Sequence, residues 1–208
     1  MPFTEAEFFD NFRAYNAALW PAVAIAWLAT AALFVQLIRR RPAAAAMRVL
    51  TIAQWGWVGV VFHAGFFTAI NPAAWLFAAM FMFQALMLGW NHLAGRPLNY
   101  GWTWDRRHVM AGVLMAYALG YPALSAMGGT WPAVPLFLVP CPLVIFDTGL
   151  FLTSAGPVPR KLLFVPIAWA LIGGSAAVFF GVLPDLMLFA CAGVLLSLGR
   201  QHRISAHL

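Results

Sequence analysis

Charge is what this chain has least of. Only 9% of its 208 residues are Asp, Glu, Lys or Arg, against about a quarter in ordinary soluble domains. With 63% hydrophobic residues and a mean hydropathy of +0.84, a water-soluble globule is excluded. Lysine is reduced to Lys161, at the start of an apolar run, so a retinal-type Schiff base deep in a helix is excluded too. Cysteine is limited to Cys141 and Cys191, both inside apolar runs, which argues against a stabilising disulfide and leaves the redox compartment unread. Phosphate-binding Gly loops and an HExxH zinc motif are both missing. Two-His haem ligation lacks imidazoles at matching depth, because His92, His108, His202 and His207 fall at or beyond the ends of runs while His63 lies inside one. An enzyme is therefore not the expectation.

What the chain does have is long apolar runs. Roughly 20 apolar residues cross a bilayer, so this length has room for about seven short-looped spans. The runs fall at about 18–38, 48–70, 72–92, 109–127, 133–154, 161–180 and 183–199. Asn71-Pro72 and Gly181-Val182-Leu183-Pro184 are turn signals between the tightest neighbours. The expected fold is one all-α membrane domain, a polytopic seven-helix bundle. Ahead of it, Glu5, Glu7 and Asp10 stand where a secretory signal carries positive charge. Thr4-x-x-Glu7 is a capping box, and Phe8, Phe12 and Tyr15 share one face with Phe9 beside them. These predict a short helix over about 4–16, lying in the membrane interface or packed on the bundle.

The net charge of +6 reads as a sidedness signal. Arg39, Arg40, Arg41 and Arg48 join runs one and two; Arg96, Arg106 and Arg107 join three and four. Arg160 and Lys161 join five and six, and Arg200 and Arg203 follow seven. Alternating spans put eleven of the twelve cations on one face, with Arg13 opposite. The positive-inside rule makes that face cytoplasmic, with the N-terminus outside. Trp20 and Trp131 at one end, and Trp90, Trp102 and Trp104 at the other, fit aromatic belts. The expected partners are the bilayer, anionic lipid at the cytoplasmic face and a second copy or membrane complex, and not nucleic acid.

Polar residues at depth carry the functional signal, since an ionisable group there costs about 2.5–3.5 kcal/mol. His63 and Asp147 are the deep pair, about 11 Å apart in depth at 1.5 Å per residue, so direct contact is disfavoured. His63 lies near the face of Gly56 and Gly59, which let a neighbouring helix approach. A polar cleft lined by Gln84, Asn91 and Asp147, open to the cytoplasm, is the expected arrangement around the acid. Phe146-Asp147-Thr148-Gly149 spells an aspartic-protease triplet, but that chemistry needs two carboxylates sharing a proton, and Asp105 and Asp185 fall at other depths. Pro140-Cys141-Pro142 removes two backbone donors within a run, as in the discontinuous helices of transporters. It also resembles the cysteine motif of soft-metal pumps, and Cys141, Cys191 and His63 at similar depth make a soft-metal site an open alternative to a plain kink with a buried thiol. Gly173, Gly174, Ser175, Ala176 and Ala177 form a small-residue patch suited to helix packing.

Several of these segments together resemble one bacterial membrane family. They are Met1-Pro2-Phe3-Thr4, Tyr15-Asn16, His63 with Phe66-Phe67, Ile70-Asn71-Pro72-Ala73-Ala74, Gln84, Pro140-Cys141-Pro142, Ile172 to Ala177 and the Gly181 to Asp185 turn. The family is the one designated domain of unknown function 6064, and the resemblance covers nearly the whole chain. It implies a compact multi-span protein of the bacterial inner membrane and supplies no activity. The family usually has Thr where this chain has Asp147, which implies that Asp147 carries no family-wide chemistry. Two functions follow as expectations. The first is a small permease or channel-like protein for a proton, metal ion or small solute, using Pro140, Cys141, Pro142 and Asp147 as a broken-helix site with His63 and Gln84. The alternative is a non-catalytic membrane subunit or sensor whose polar groups only fix helix register.

Overall fold

The computed structural model describes residues 3–95, 97–127 and 131–204, with side chains up to residue 200. Met1, Pro2, Arg96 and His207, and the side chains of His202 and Arg203, lie outside the described residues. The described chain is all helical: α1 (Glu5–Ile38), α2 (Ala44–Trp57), α3 (Ala74–Leu93), α4 (Arg106–Ala126), α5 (Pro140–Leu152), α6 (Arg160–Phe180) and α7 (Met187–Ile204). A π-helix over Val58–Phe66 and a 3-10 turn over Phe67–Ala69 prolong α2, and a second 3-10 turn, Leu183–Leu186, leads into α7. Six helical stretches are long and apolar enough to cross a membrane.

The N-terminal helix is not a separate element. The Thr4–Glu7 capping box forms as read, but the helix it opens runs unbroken for 34 residues. At about 1.5 Å per residue this is about 51 Å, well over a bilayer's hydrocarbon thickness. The aromatic stripe of Phe8, Phe12 and Tyr15 does not face outward as an interfacial face would. Phe12 stacks on Phe62, Tyr15 packs edge-on against Phe62 and Phe66, and both are buried.

The fifth apolar run departs most from expectation. Residues 133–139 are non-helical, and α5 begins only at Pro140. The reason is local: Pro140 and Pro142 occupy the first turn, where backbone N–H groups have no intrahelical acceptor to lose. The Pro-Cys-Pro motif therefore starts a helix rather than interrupting one. With 13 residues, α5 is about 20 Å long, and twelve of the thirteen are buried. It packs on α4, α6, α7 and α2.

A helix this short leaves irregular backbone at both ends, and each end is closed by protein. At the first, Asn16 Nδ2 donates to the carbonyls of Pro132 and Val134, both at 2.7 Å. Tyr15 Oη donates to Leu138 O at 2.9 Å and accepts from Trp57 Nε1 at 2.9 Å. At the second, Gly101 N donates to Thr153 O and Ala155 N to Asn99 O, tying the α3–α4 loop beneath the end of α5. Irregular backbone in an apolar interior is tolerated where protein supplies its hydrogen bonds.

Cations gather at this second end. Arg48 donates to Leu98 O and to His92 Nδ1, Arg107 to Ser154 O, and Arg160 to Gly199 O. Asp105 caps α4, accepting from His108 N at 2.9 Å. Its carboxyl is held well below the usual range, first by the Thr103 hydroxyl and then by the backbone and ring of His108.

Candidate functional site

The π-helical turn carries His63 into the middle of an aromatic box. A π-turn widens the helix locally and is frequent at functional sites. Here it includes Gly59, where a Cβ would lie 3.1 Å from Ala78 O and from Met82 Cγ, so α3 sits against bare backbone. Gly56, its expected companion on that face, has nothing within 4 Å of where its Cβ would be. The His63 ring centroid lies 4.9 Å from Phe81, 5.1 Å from Trp169 and 5.6 Å from Phe77. The residue is fully buried, yet neither ring nitrogen has a hydrogen-bond partner among the described residues. Trp169 Nε1 has only the Cys141 thiol sulfur, a weak acceptor, as a partner. An unpaired buried polar group costs about 1–3 kcal/mol, so the imidazole needs an explanation.

Beside them lies a cavity of about 540 Å³. His63, Trp169, Cys141 and Pro140 contribute to its wall, together with rings from the π-helical region and α1. Phe3, Phe8 and Phe180 stack over one end, with centroids 4.7 to 6.0 Å apart. Gly173 lets side chains close in on the α6 backbone, because a Cβ there would meet Leu188 Cδ1 at 2.8 Å, Trp169 Nε1 at 3.1 Å and Cys141 Sγ at 3.5 Å. At the rim, Leu171, Ile172 and Phe179 of α6 are exposed. Asp185 also reaches this cavity. It is buried and accepts a hydrogen bond from Tyr121 Oη.

Asp147 occupies a different environment. One carboxylate oxygen accepts from Trp55 Nε1, the other is unpartnered among the described residues, and the side chain is fully buried. Trp55 in turn packs on Phe81 at 4.7 Å, which touches His63. Two rings thus separate the acid from the imidazole, in line with the depth argument against a direct pair. The Asp-Thr-Gly triplet has packing explanations. Thr148 Oγ1 returns to Val144 O at 2.7 Å, and a Cβ on Gly149 would lie 2.7 Å from Ala111 O.

Gln84, Asn91 and Asp147, expected to line one cleft, share neither of the two large cavities. Gln84 Nε2 donates to Leu162 O at 2.9 Å, the carbonyl that Pro166 leaves without its normal donor four residues on. Asn91 borders a void of about 10 Å³ beside Arg48 and His92. Asp147 and Gln84 line neither of the two large cavities, the second of which, about 400 Å³, lies near Ser125 and Pro184. Pro142 is buried within α5 and does not border the first cavity, unlike Pro140 and Cys141.

The soft-metal trio is not assembled either. Among the described residues no three His, Cys, Asp or Glu side chains gather to hold a metal ion. Cys191 is fully buried and, unlike His63 and Cys141, does not line the first cavity.

Sequence reasoning selected His63 and Cys141 but missed Trp169, Tyr121 and Asp185. Trp169 and Gly173 are one helical turn apart on α6, a spacing that lets the indole lie against bare backbone. The fold and this cavity define an all-helical bundle with membrane-type helices around an aromatic pocket. The chain belongs to the family of unknown function DUF6064, whose model matches residues 5–208. Neither the curated proteins nor the solved structures yield a match.

Proposed function

We propose that this is a bacterial inner-membrane protein that binds a small, largely apolar molecule in the cavity beside His63. In this reading seven helical segments lie in the bilayer. Six are long enough to cross it, and α5 is held at the centre with its ends closed by protein. The Arg-rich end faces the cytoplasm and meets anionic lipid, and the N-terminus lies outside. The observation that carries the binding role is the 540 Å³ cavity with an unpartnered, fully buried imidazole on its wall. Its size and aromatic lining match small-molecule sites, which run from about 300 to 1,000 Å³ with a few placed polar groups.

Binding serves a permease or a sensor equally. A permease further requires an opening toward the Arg-rich end, whereas the cavity lies toward the end where Phe3 and Phe180 stack. The supported role is therefore binding, and transport is its extension. The test is titration of the purified protein, in lipid nanodiscs, with the neutral apolar fluorophore N-phenyl-1-naphthylamine. Wild type should show saturable one-to-one binding above the empty-nanodisc background. Ala176→Trp, which fills the cavity from α6, should lose it. Equal signals from the two proteins would contradict the reading.

A further inference from the structure

The acid on the cavity wall restricts what the cavity takes. We infer that the ligand is a lipophilic organic cation, a single positive charge carried on aromatic or alkyl bulk, with the Asp185 carboxylate as its counter-charge. This rests on the binding reading above and adds the ligand's charge.

The turn after α6 puts the acid there. Gly181 ends that helix at φ 66°, a left-handed conformation that suits glycine. The 3-10 turn Leu183–Leu186 follows, and its Asp185 lines the 540 Å³ cavity and not the neighbouring one. Tyr117 Oη fastens the turn by donating to Pro184 O at 2.9 Å. Asp185 keeps 7% of its surface accessible, and neither of its oxygens is shut away without a partner as Asp147 Oδ1 is. Tyr121 Oη donates to Asp185 Oδ1, and the Cys141 thiol is a second donor. Two donors are the surroundings of a carboxylate.

Nothing on the wall balances that charge. No Lys or Arg lines the cavity, and the ion pairs among the described residues, Arg13 with Asp10 and His108 with Asp105, lie elsewhere. Buried charges are ordinarily paired, so an acid bordering an apolar space calls for a cation from outside the protein.

The walls select which cation. A small metal ion needs several oxygen, nitrogen or sulfur ligands, and among the described residues no three His, Cys, Asp or Glu side chains gather to supply them. The wall offers rings instead, among them Phe3, Phe8, Phe12, Phe67 and Phe77. Aromatic faces attract an organic cation, more strongly away from water, and pack its apolar bulk at the same time. An anionic ligand would meet Asp185 as a like charge. The rim of exposed Leu171, Ile172 and Phe179 gives an apolar approach, suited to a lipid-soluble molecule.

The experiment uses the whole protein in phosphatidylcholine nanodiscs with tetraphenylphosphonium, tetraphenylborate and the neutral N-phenyl-1-naphthylamine, each corrected for partition into empty nanodiscs. The two ions share a shape and differ in sign. Wild type should bind the phosphonium saturably and about tenfold or more tighter than the borate. Asp185→Asn keeps an oxygen for Tyr121 and should cost the phosphonium about tenfold or more, leaving N-phenyl-1-naphthylamine unchanged. If that variant fails to fold, as judged by its melting transition, the comparison of the two ions on wild type decides alone. Equal affinities for the two ions, or a phosphonium affinity unmoved in folded Asp185→Asn, would overturn the cation assignment, while saturable N-phenyl-1-naphthylamine binding leaves the binding role standing. Failure of all three probes to saturate would overturn both.

Discussion

His63 and Asp147 are both fully buried and both ionisable, and the structure treats them in opposite ways. Asp147 sits in a packed helix, accepts the Trp55 indole N–H and borders neither large cavity. His63 sits on a widened π-turn, has no partner on either nitrogen among the described residues, and borders 540 Å³ of space. Burial alone does not distinguish a structural polar group from a functional one. What distinguishes them is that His63 borders a cavity something else can occupy, whereas Asp147 is enclosed by packed helices and holds the Trp55 indole.

The contrast can be broken or sharpened by substitution, and Asp147 should respond most strongly. Asp147→Ala leaves the Trp55 donor unpaired and removes volume from the centre of the bundle. A loss of about 3 kcal/mol is expected, read as a fall in denaturant midpoint. Asp147→Asn retains an oxygen for Trp55 and should cost no more than about 1 kcal/mol. If the two behave alike, the role assigned to Trp55 is wrong. Next in size is Gly149→Ala, where the new methyl meets Ala111 O at 2.7 Å and Met115 Cγ at 2.8 Å. Overpacking of this kind costs about 1–3 kcal/mol, whereas Gly56→Ala on α2 has open space and should be nearly neutral.

His63 should respond with the other sign. His63→Phe exchanges an unpaired polar ring for an apolar one among aromatics, and a gain of about 1 kcal/mol is expected in the absence of ligand. A loss instead would mean that the imidazole is satisfied in the folded protein. The smallest effect lies outside the helical layer, at Asp105. Its carboxyl is held low in the folded state, so its contribution is present above the ordinary carboxylate range and disappears as pH falls through the depressed value. Asp105→Ala should remove that acid-side loss and slightly lower the melting temperature at neutral pH, with little effect on binding.

The helices were legible because apolar runs and turn signals are local properties. The role of Pro140-Cys141-Pro142 was only half legible. Its missing donors announced a discontinuity, but whether prolines break a helix or begin one depends on the seven residues before them. Asn16 and Tyr15 could be noticed but not interpreted, because the carbonyls they satisfy lie 116 to 123 residues away. Gln84 belongs to the same class, since it serves a carbonyl freed by a proline on another helix. The site was missed where side chains from α1, the π-helix after α2, α3, α5 and α6 converge on one space. The periodicity of each helix shows which face is apolar, not that two faces leave a gap. His63 stood out by type, and Trp169 was indistinguishable from packing until its ring lay against the imidazole on the cavity wall.

One measurement tests the central contrast most directly: the affinity of His63→Phe and Asp147→Asn for N-phenyl-1-naphthylamine in nanodiscs, side by side with wild type. Binding altered in His63→Phe and unchanged in Asp147→Asn is the predicted result. The reverse pattern would contradict the account, placing the working site around the acid and making the histidine the structural residue.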